Sequence, residues 1–215
     1  MTGRLAPIYS VLWRALVVLL TVEIAAVSAM RYLTGGAEAP ELIAANAFAH
    51  PFLVLHVAGG VTALLLGPLQ FVRRVRLRWP RVHRLSGRVY VAACLIAAPA
   101  GLMLALGTTA GAVAGAGFAI PALLWPLFTG LGWQAALQRR FAEHREWMLR
   151  SYAITANAIT LRLMLPLAGA LGYGFFEAYR VIAWLSWIVT LAAFEAWIRA
   201  RRTAPARAAP EPAAA

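Results

Sequence analysis

The chain has 215 residues, of which 62% are hydrophobic and 13% charged, and its mean hydropathy is +0.71. That composition excludes a water-soluble globule. All 20 basic residues are Arg and all 8 acidic residues are Glu, giving a net charge of +12. The Arg stand in short runs between long apolar stretches, a pattern that points to lipid headgroups and membrane topology rather than to nucleic acid. The single Cys94, inside an apolar run, excludes a disulfide framework and a thiolate metal cluster.

A helix crosses the roughly 30 Å hydrocarbon core in about 20 residues, because it rises about 1.5 Å per residue and satisfies its own backbone. The chain accordingly reads as an all-α integral membrane bundle of six transmembrane helices. The predicted spans are residues 11–30, 52–72, 89–106, 118–138, 150–171 and 181–198. Residues 89–138 carry no charge; as one helix they would run about 75 Å, so the chain must fold back within them. Small residues in 107–117 place the turn there. A six-span domain over 1–202 is followed by an Ala- and Pro-rich tail, 203–215, expected to be disordered.

Positive charge concentrates in short cytoplasmic loops of membrane proteins. Arg73, Arg74, Arg76, Arg78, Arg81, Arg84 and Arg88 lie between spans two and three. Arg139, Arg140, Arg145 and Arg150 follow between four and five, and Arg199, Arg201, Arg202 and Arg207 come after six. With Arg4 and Arg14 these make 17, against only Arg31 and Arg180 on the other side and Arg162 inside a span. Both termini are therefore expected in the cytoplasm. A cleavable leader is the competing reading of the N-terminus, since Val27-Ser28-Ala29 follows an apolar run. Glu23 within the run, and the alternation of Arg-rich loops, favour a retained span.

Greasy side chains do not drive association in lipid, so stripes of small and polar residues mark the bundle interior. Three spans carry one at helical spacing: His56, Gly60, Ala63, Gly67 and Gln70; His83, Gly87, Tyr90, Cys94, Ala97 and Gly101; His144, Met148, Ser151, Thr155 and Arg162. An ionised side chain at mid-bilayer costs roughly 2.5 to 3.5 kcal/mol on insertion scales, so its presence suggests a partner or a task. By residue count Glu23 lies about 12 Å below the outer surface, Arg162 about 18 Å above the inner one, and His56 about 8 Å deep. These depths suggest one intramembrane polar cluster of Glu23, His56 and Arg162, with Thr155 on the same stripe.

A second constellation lies at the cytoplasmic boundary. His83, Arg84, Arg88 and Tyr90 open span three, and His144 and Trp147 open span five. Two histidines at one depth on different helices could clamp a haem b iron from opposite sides, with Arg pairing the propionates; an interfacial anchor uses the same residue types. No nucleotide loop, zincin motif or nucleophile elbow occurs, so no catalytic residue is assigned.

In order along the chain, His56, the Gly67-Pro68-Leu69-Gln70-Phe71 motif, His83 through Tyr90, His144 through Ser151, Thr155 and Arg162 form a set. Over residues 53–165 it resembles the bacterial predicted membrane protein family catalogued as domain of unknown function 2306. The resemblance implies a multi-pass bundle in the bacterial cytoplasmic (inner) membrane, with His56, His83, His144 and Arg162 as its marked polar positions, and no established activity. The residues suggest a redox-linked role through haem or quinone. The alternatives are a small proton-coupled transporter using Glu23, His56 and Arg162, and a noncatalytic assembly or lipid-associated subunit. Expected partners are anionic headgroups at the Arg-rich loops, a second copy of the chain or a redox protein; nucleic acid is not expected.

Overall fold

The computed structural model describes residues 5–33, 43 and 45–203, with side chains from Ala15 onward. The tail beyond 203 lies outside the described residues. Among the described residues there are seven helices and no strand: α1 (Leu5–Tyr32), α2 (Ala49–Phe71), α3 (Arg73–Arg78), α4 (Pro80–Leu106), α5 (Ala112–Leu137), α6 (Phe141–Ala170) and α7 (Phe175–Thr203). All but α3 contain a stretch long and apolar enough to cross a membrane, that of α1 being Ala15–Tyr32.

The six expected spans are present, but several helices start earlier than hydropathy suggests. The fourth helix begins at Pro80, nine residues before the expected 89, with proline in its first turn. Proline is favoured there because its missing N–H would be unpaired in any case. Likewise α6 begins at Phe141 and α7 at Phe175, because helices continue through charged turns outside the hydrocarbon, where hydropathy carries no signal. The turn between α4 and α5 is also shorter than the predicted 107–117. It closes by Gly111, whose φ of 93° lies in the left-handed region, and Ala112–Gly117 are already helical. The small residues of that run serve packing: a Cβ on Gly117 would stand 2.9 Å from Ala183 and Trp184 of α7.

Adjacent spans alternate in direction, so the Arg-rich connections gather at one end of the bundle. Helices α2, α4, α5 and α6 make the inner layer; α7 packs on α6 and α5, and α1 packs on α2 and α6. Close approach depends on missing side chains. A Cβ on Gly59 would meet the Ala93 carbonyl at 2.7 Å and the Ala97 Cβ at 2.8 Å. The core gathers Ala63, Tyr90, Cys94, Ala97, Trp125, Met148 and Tyr152, so the three stripes face one another. The outward residues include Leu65, Leu95, Ile96, Leu123, Leu127, Leu163, Leu167 and Val181. This is a core of small residues inside an apolar shell, as a lipid solvent favours.

Candidate functional site

In the half of the bundle remote from the Arg-rich end, the inner helices part around a cavity of about 280 Å³. That is near the lower bound of small-molecule sites, roughly 300 Å³. Leu53, His56, Val57 and Gly60 of α2, Gly101 of α4, Trp125 of α5, and Thr155, Asn157 and Arg162 of α6 line it; Ile24, Ser28 and Tyr32 of α1 close one side.

His56 is held by a hydrogen bond of 2.9 Å between Nδ1 and the Ala97 carbonyl. A carbonyl only accepts, so Nδ1 carries the proton and Nε2 of the neutral ring keeps a lone pair. Space for the ring comes from Gly101, where a Cβ would lie 2.7 Å from Nδ1, and Trp125 meets it edge-on at 6.5 Å. Arg162 is half-buried and donates to the Ala158 carbonyl one turn back, at 3.2 Å. Its electrostatic neighbours are Arg31, Tyr32 and Tyr179, and His56 feels its charge. Of the lining residues, Asn157 has a buried Oδ1 without a hydrogen-bond partner, while the Trp125 side chain interacts with the buried Cys94 thiol. Orphaned groups of this kind are rare and call for a guest, an ion or water.

Thr155 joins the cavity to a buried hydroxyl network. The Tyr90 hydroxyl pairs with Thr155 Oγ1 at 3.1 Å and with Ser151 Oγ at 2.9 Å, and Ser151 pairs with Thr129 Oγ1 at 2.7 Å. Tyr90 is 1% exposed. It therefore belongs to the bundle centre and not to the interfacial group with His83, because three turns of helix separate the start of α4 from its position.

The expected cluster forms only in part. His56, Thr155 and Arg162 share the cavity, but Glu23 is exposed on α1 and makes no ion pair among the described residues. The reason is azimuth. The face that α1 buries is Thr21, Ile24, Ala25 and Ser28, and Glu23 is turned about 100° from Ile24. A relay through Glu23, His56 and Arg162 therefore lacks its carboxylate.

At the Arg-rich end His83 and His144 are electrostatic neighbours. His144 Nδ1 bonds the Gly132 carbonyl at 2.8 Å, leaving Nε2 with a lone pair, and His83 Nδ1 is buried without a partner. Arg84 and Arg88 are exposed. Trp147 packs on Phe128 at 5.7 Å and under the Arg150 guanidinium at 4.8 Å. Arg150 in turn holds Glu195 of α7 through a two-pronged contact of 2.8 and 3.0 Å, and Arg202 pairs with Glu146. These ion pairs clamp α6 to α7 and border a second, more open groove lined by neither histidine.

Sequence reasoning missed Asn157 and Trp125 as site residues. Asn157 had a signal, as an amide among the apolar residues between Thr155 and Arg162. Trp125 had none, because tryptophan in a span usually reads as packing.

The fold and cavity define a six-span helical membrane protein with a mainly apolar chamber that holds a few polar groups. The chain belongs to the family described as Predicted membrane protein (DUF2306), whose model matches residues 53–198. The match runs past the 53–165 of the sequence resemblance and takes in most of α7. No curated protein and no solved structure matches the chain.

Proposed function

We propose that the chain is a redox-linked protein of the bacterial cytoplasmic membrane that binds a quinone-type headgroup in the cavity between His56 and Arg162. One observation carries the reading: a lone-pair nitrogen and an Arg without a carboxylate partner among the described residues face one chamber inside the bundle. A quinone carries two carbonyl acceptors, and a quinol two hydroxyl donors. The Arg162 guanidinium suits the oxygen at one end, and His56 Nε2 suits a hydroxyl proton at the other. The unpartnered Asn157 side-chain carbonyl adds an acceptor on the same wall. An apolar tail fits the aliphatic walls at Leu53, Val57, Val61 and Leu64.

The test is chemical extraction of protein purified into nanodiscs, with photolabelling by an azido-quinone. Copurifying quinone, and label mapped to peptides carrying His56 or Trp125, are expected; His56→Ala and Arg162→Gln should each reduce labelling at least tenfold. Quinone-free protein that takes no label above background would end this reading.

A second reading has its own observation. The orphaned His83 Nδ1 and the neighbouring His144 are the imidazoles that would hold a haem iron, and Arg84 and Arg88 would pair its propionates. A haem b there would supply one-electron chemistry. A Soret band lost in His83→Ala and in His144→Ala supports it; colourless protein from haem-replete cells excludes it. Cytoplasmic termini and anionic-lipid contact at the Arg-rich end complete the proposal.

A further inference from the structure

The polar groups of the cavity wall divide into donors around Arg162 and acceptors elsewhere. Arg162 has the Tyr32 and Tyr179 phenols as electrostatic neighbours, and all three side chains line the cavity. A guanidinium only donates, and a phenol hydroxyl both donates and accepts.

Over the rest of the wall the donors are spent inside the protein. The Ser28 hydroxyl gives its proton to the Ile24 carbonyl at 2.6 Å, the Asn46 amide donates to the Leu104 carbonyl at 2.7 Å, and Thr155 donates to the Ser151 carbonyl at 3.1 Å. His56 spends its Nδ1 proton on the Ala97 carbonyl. Its ring stays neutral beside Arg162, since a second cation so near the first is disfavoured in lipid, and Nε2 is therefore an acceptor. Asn157 Oδ1 is a buried acceptor with no partner.

A quinone and its quinol have nearly the same shape and differ in what their oxygens carry. Near Arg162 the two are equivalent, because each brings an oxygen lone pair to the guanidinium, and a quinol proton finds a phenol oxygen. At His56 Nε2 and Asn157 Oδ1 they differ. A hydroxyl donates there, whereas a carbonyl sets one lone pair against another and leaves the buried acceptors unpaired. Sites built to bond a substrate hydroxyl reject the analogue that lacks it for that reason.

We infer that the cavity is a quinol site, which takes the dihydroxy form of the headgroup and rejects the oxidised form through His56 Nε2 and Asn157 Oδ1. This selectivity rests on the assignment of a quinone-type guest above and specifies its redox form. Tighter binding of the reduced form raises the potential of the bound couple, by about 30 mV for each tenfold preference in a two-electron couple.

The test is competition against the azido-quinone label, with the full chain in nanodiscs and oxygen excluded. Three competitors share one decyl tail: a benzoquinone, its quinol and the dimethyl ether of that quinol, which keeps the shape and has no proton to donate. The quinol should displace the label at a mole fraction in lipid at least tenfold lower than the quinone, and the ether should do no better than the quinone. His56→Gln, whose amide donates as well as accepts, and Asn157→Leu should each reduce the preference to threefold or less. The ether comparison needs no variant and decides the matter where a variant fails to fold. Displacement by the quinone or the ether at the same mole fraction as the quinol, or a lower one, would overturn the selectivity and leave a quinone-type guest standing. A chain that takes no label and responds to none of the three competitors would remove both.

Discussion

Arg162 and Tyr90 make opposite predictions about removing a polar group. Breaking a buried ion pair costs roughly 3–5 kcal/mol because the other charge is stranded, but Arg162 has no carboxylate partner among the described residues and bonds only a carbonyl of its own helix in the contacts above. Arg162→Gln should therefore leave thermal stability in lipid bicelles unchanged or raised, by up to about 3 kcal/mol if the full insertion cost of Arg is relieved; a drop of the ion-pair size would mean a carboxylate had been missed. Tyr90→Phe should lower stability by about 1 kcal/mol, since the hydroxyl tied to both Ser151 and Thr155 is lost. Equilibrium unfolding of each variant measures both. At this scale depth was legible and direction was not. Counting from the span ends put Glu23, His56 and Arg162 at compatible levels, and His56 and Arg162 line one cavity. Which way Glu23 points depends on which neighbour α1 leans on, and a span that is apolar all round does not record that.

At the scale of elements, the stripes carry the packing. A Cβ on Gly67 would enter the Tyr152 ring, whereas Gly60 on the same helix has nothing within 4 Å. Gly67→Ala should cost about 1–3 kcal/mol by overpacking, and Gly60→Ala should cost little; equal losses would mean that α2 and α6 are not in register as described. The α6–α7 clamp gives a further check. Removing Arg150 by Arg150→Ala should release Glu195 and reduce stability by about 1 kcal/mol, less in high salt, because the groups are partly exposed and screened. The stripes were readable because Gly, Ala and hydroxyl residues are selected by close approach in lipid. Helix starts were less readable, since Pro80 and Phe141 stand outside the window where hydropathy discriminates, although proline before an apolar run was a usable mark at Pro80.

For the whole molecule the Arg distribution predicts orientation. Alkaline phosphatase fused after Thr109 should be active and after Leu77 inactive, and a C-terminal fluorescent protein should mature; the reverse pattern would invert the topology. Alternation of spans was legible, because an uncharged run of residues 89–138 cannot be one helix. Neighbour relations were not: that α2 packs most closely with α4, and that α1 and α7 lie outside, follows from surface shape.

The peripheral seat of α1 has a consequence for any guest of the chamber. Ile24, Ser28 and Tyr32 wall the cavity on one side of this helix, and Val22 and Val27 are exposed on its other flanks, so a partition about 10 Å thick separates the two. A molecule that enters by that side is drawn from the pool dissolved in the bilayer, and its occupancy follows mole fraction in lipid. Titrations against total aqueous concentration would then report partitioning and affinity together, and only a series at varied lipid content would separate them.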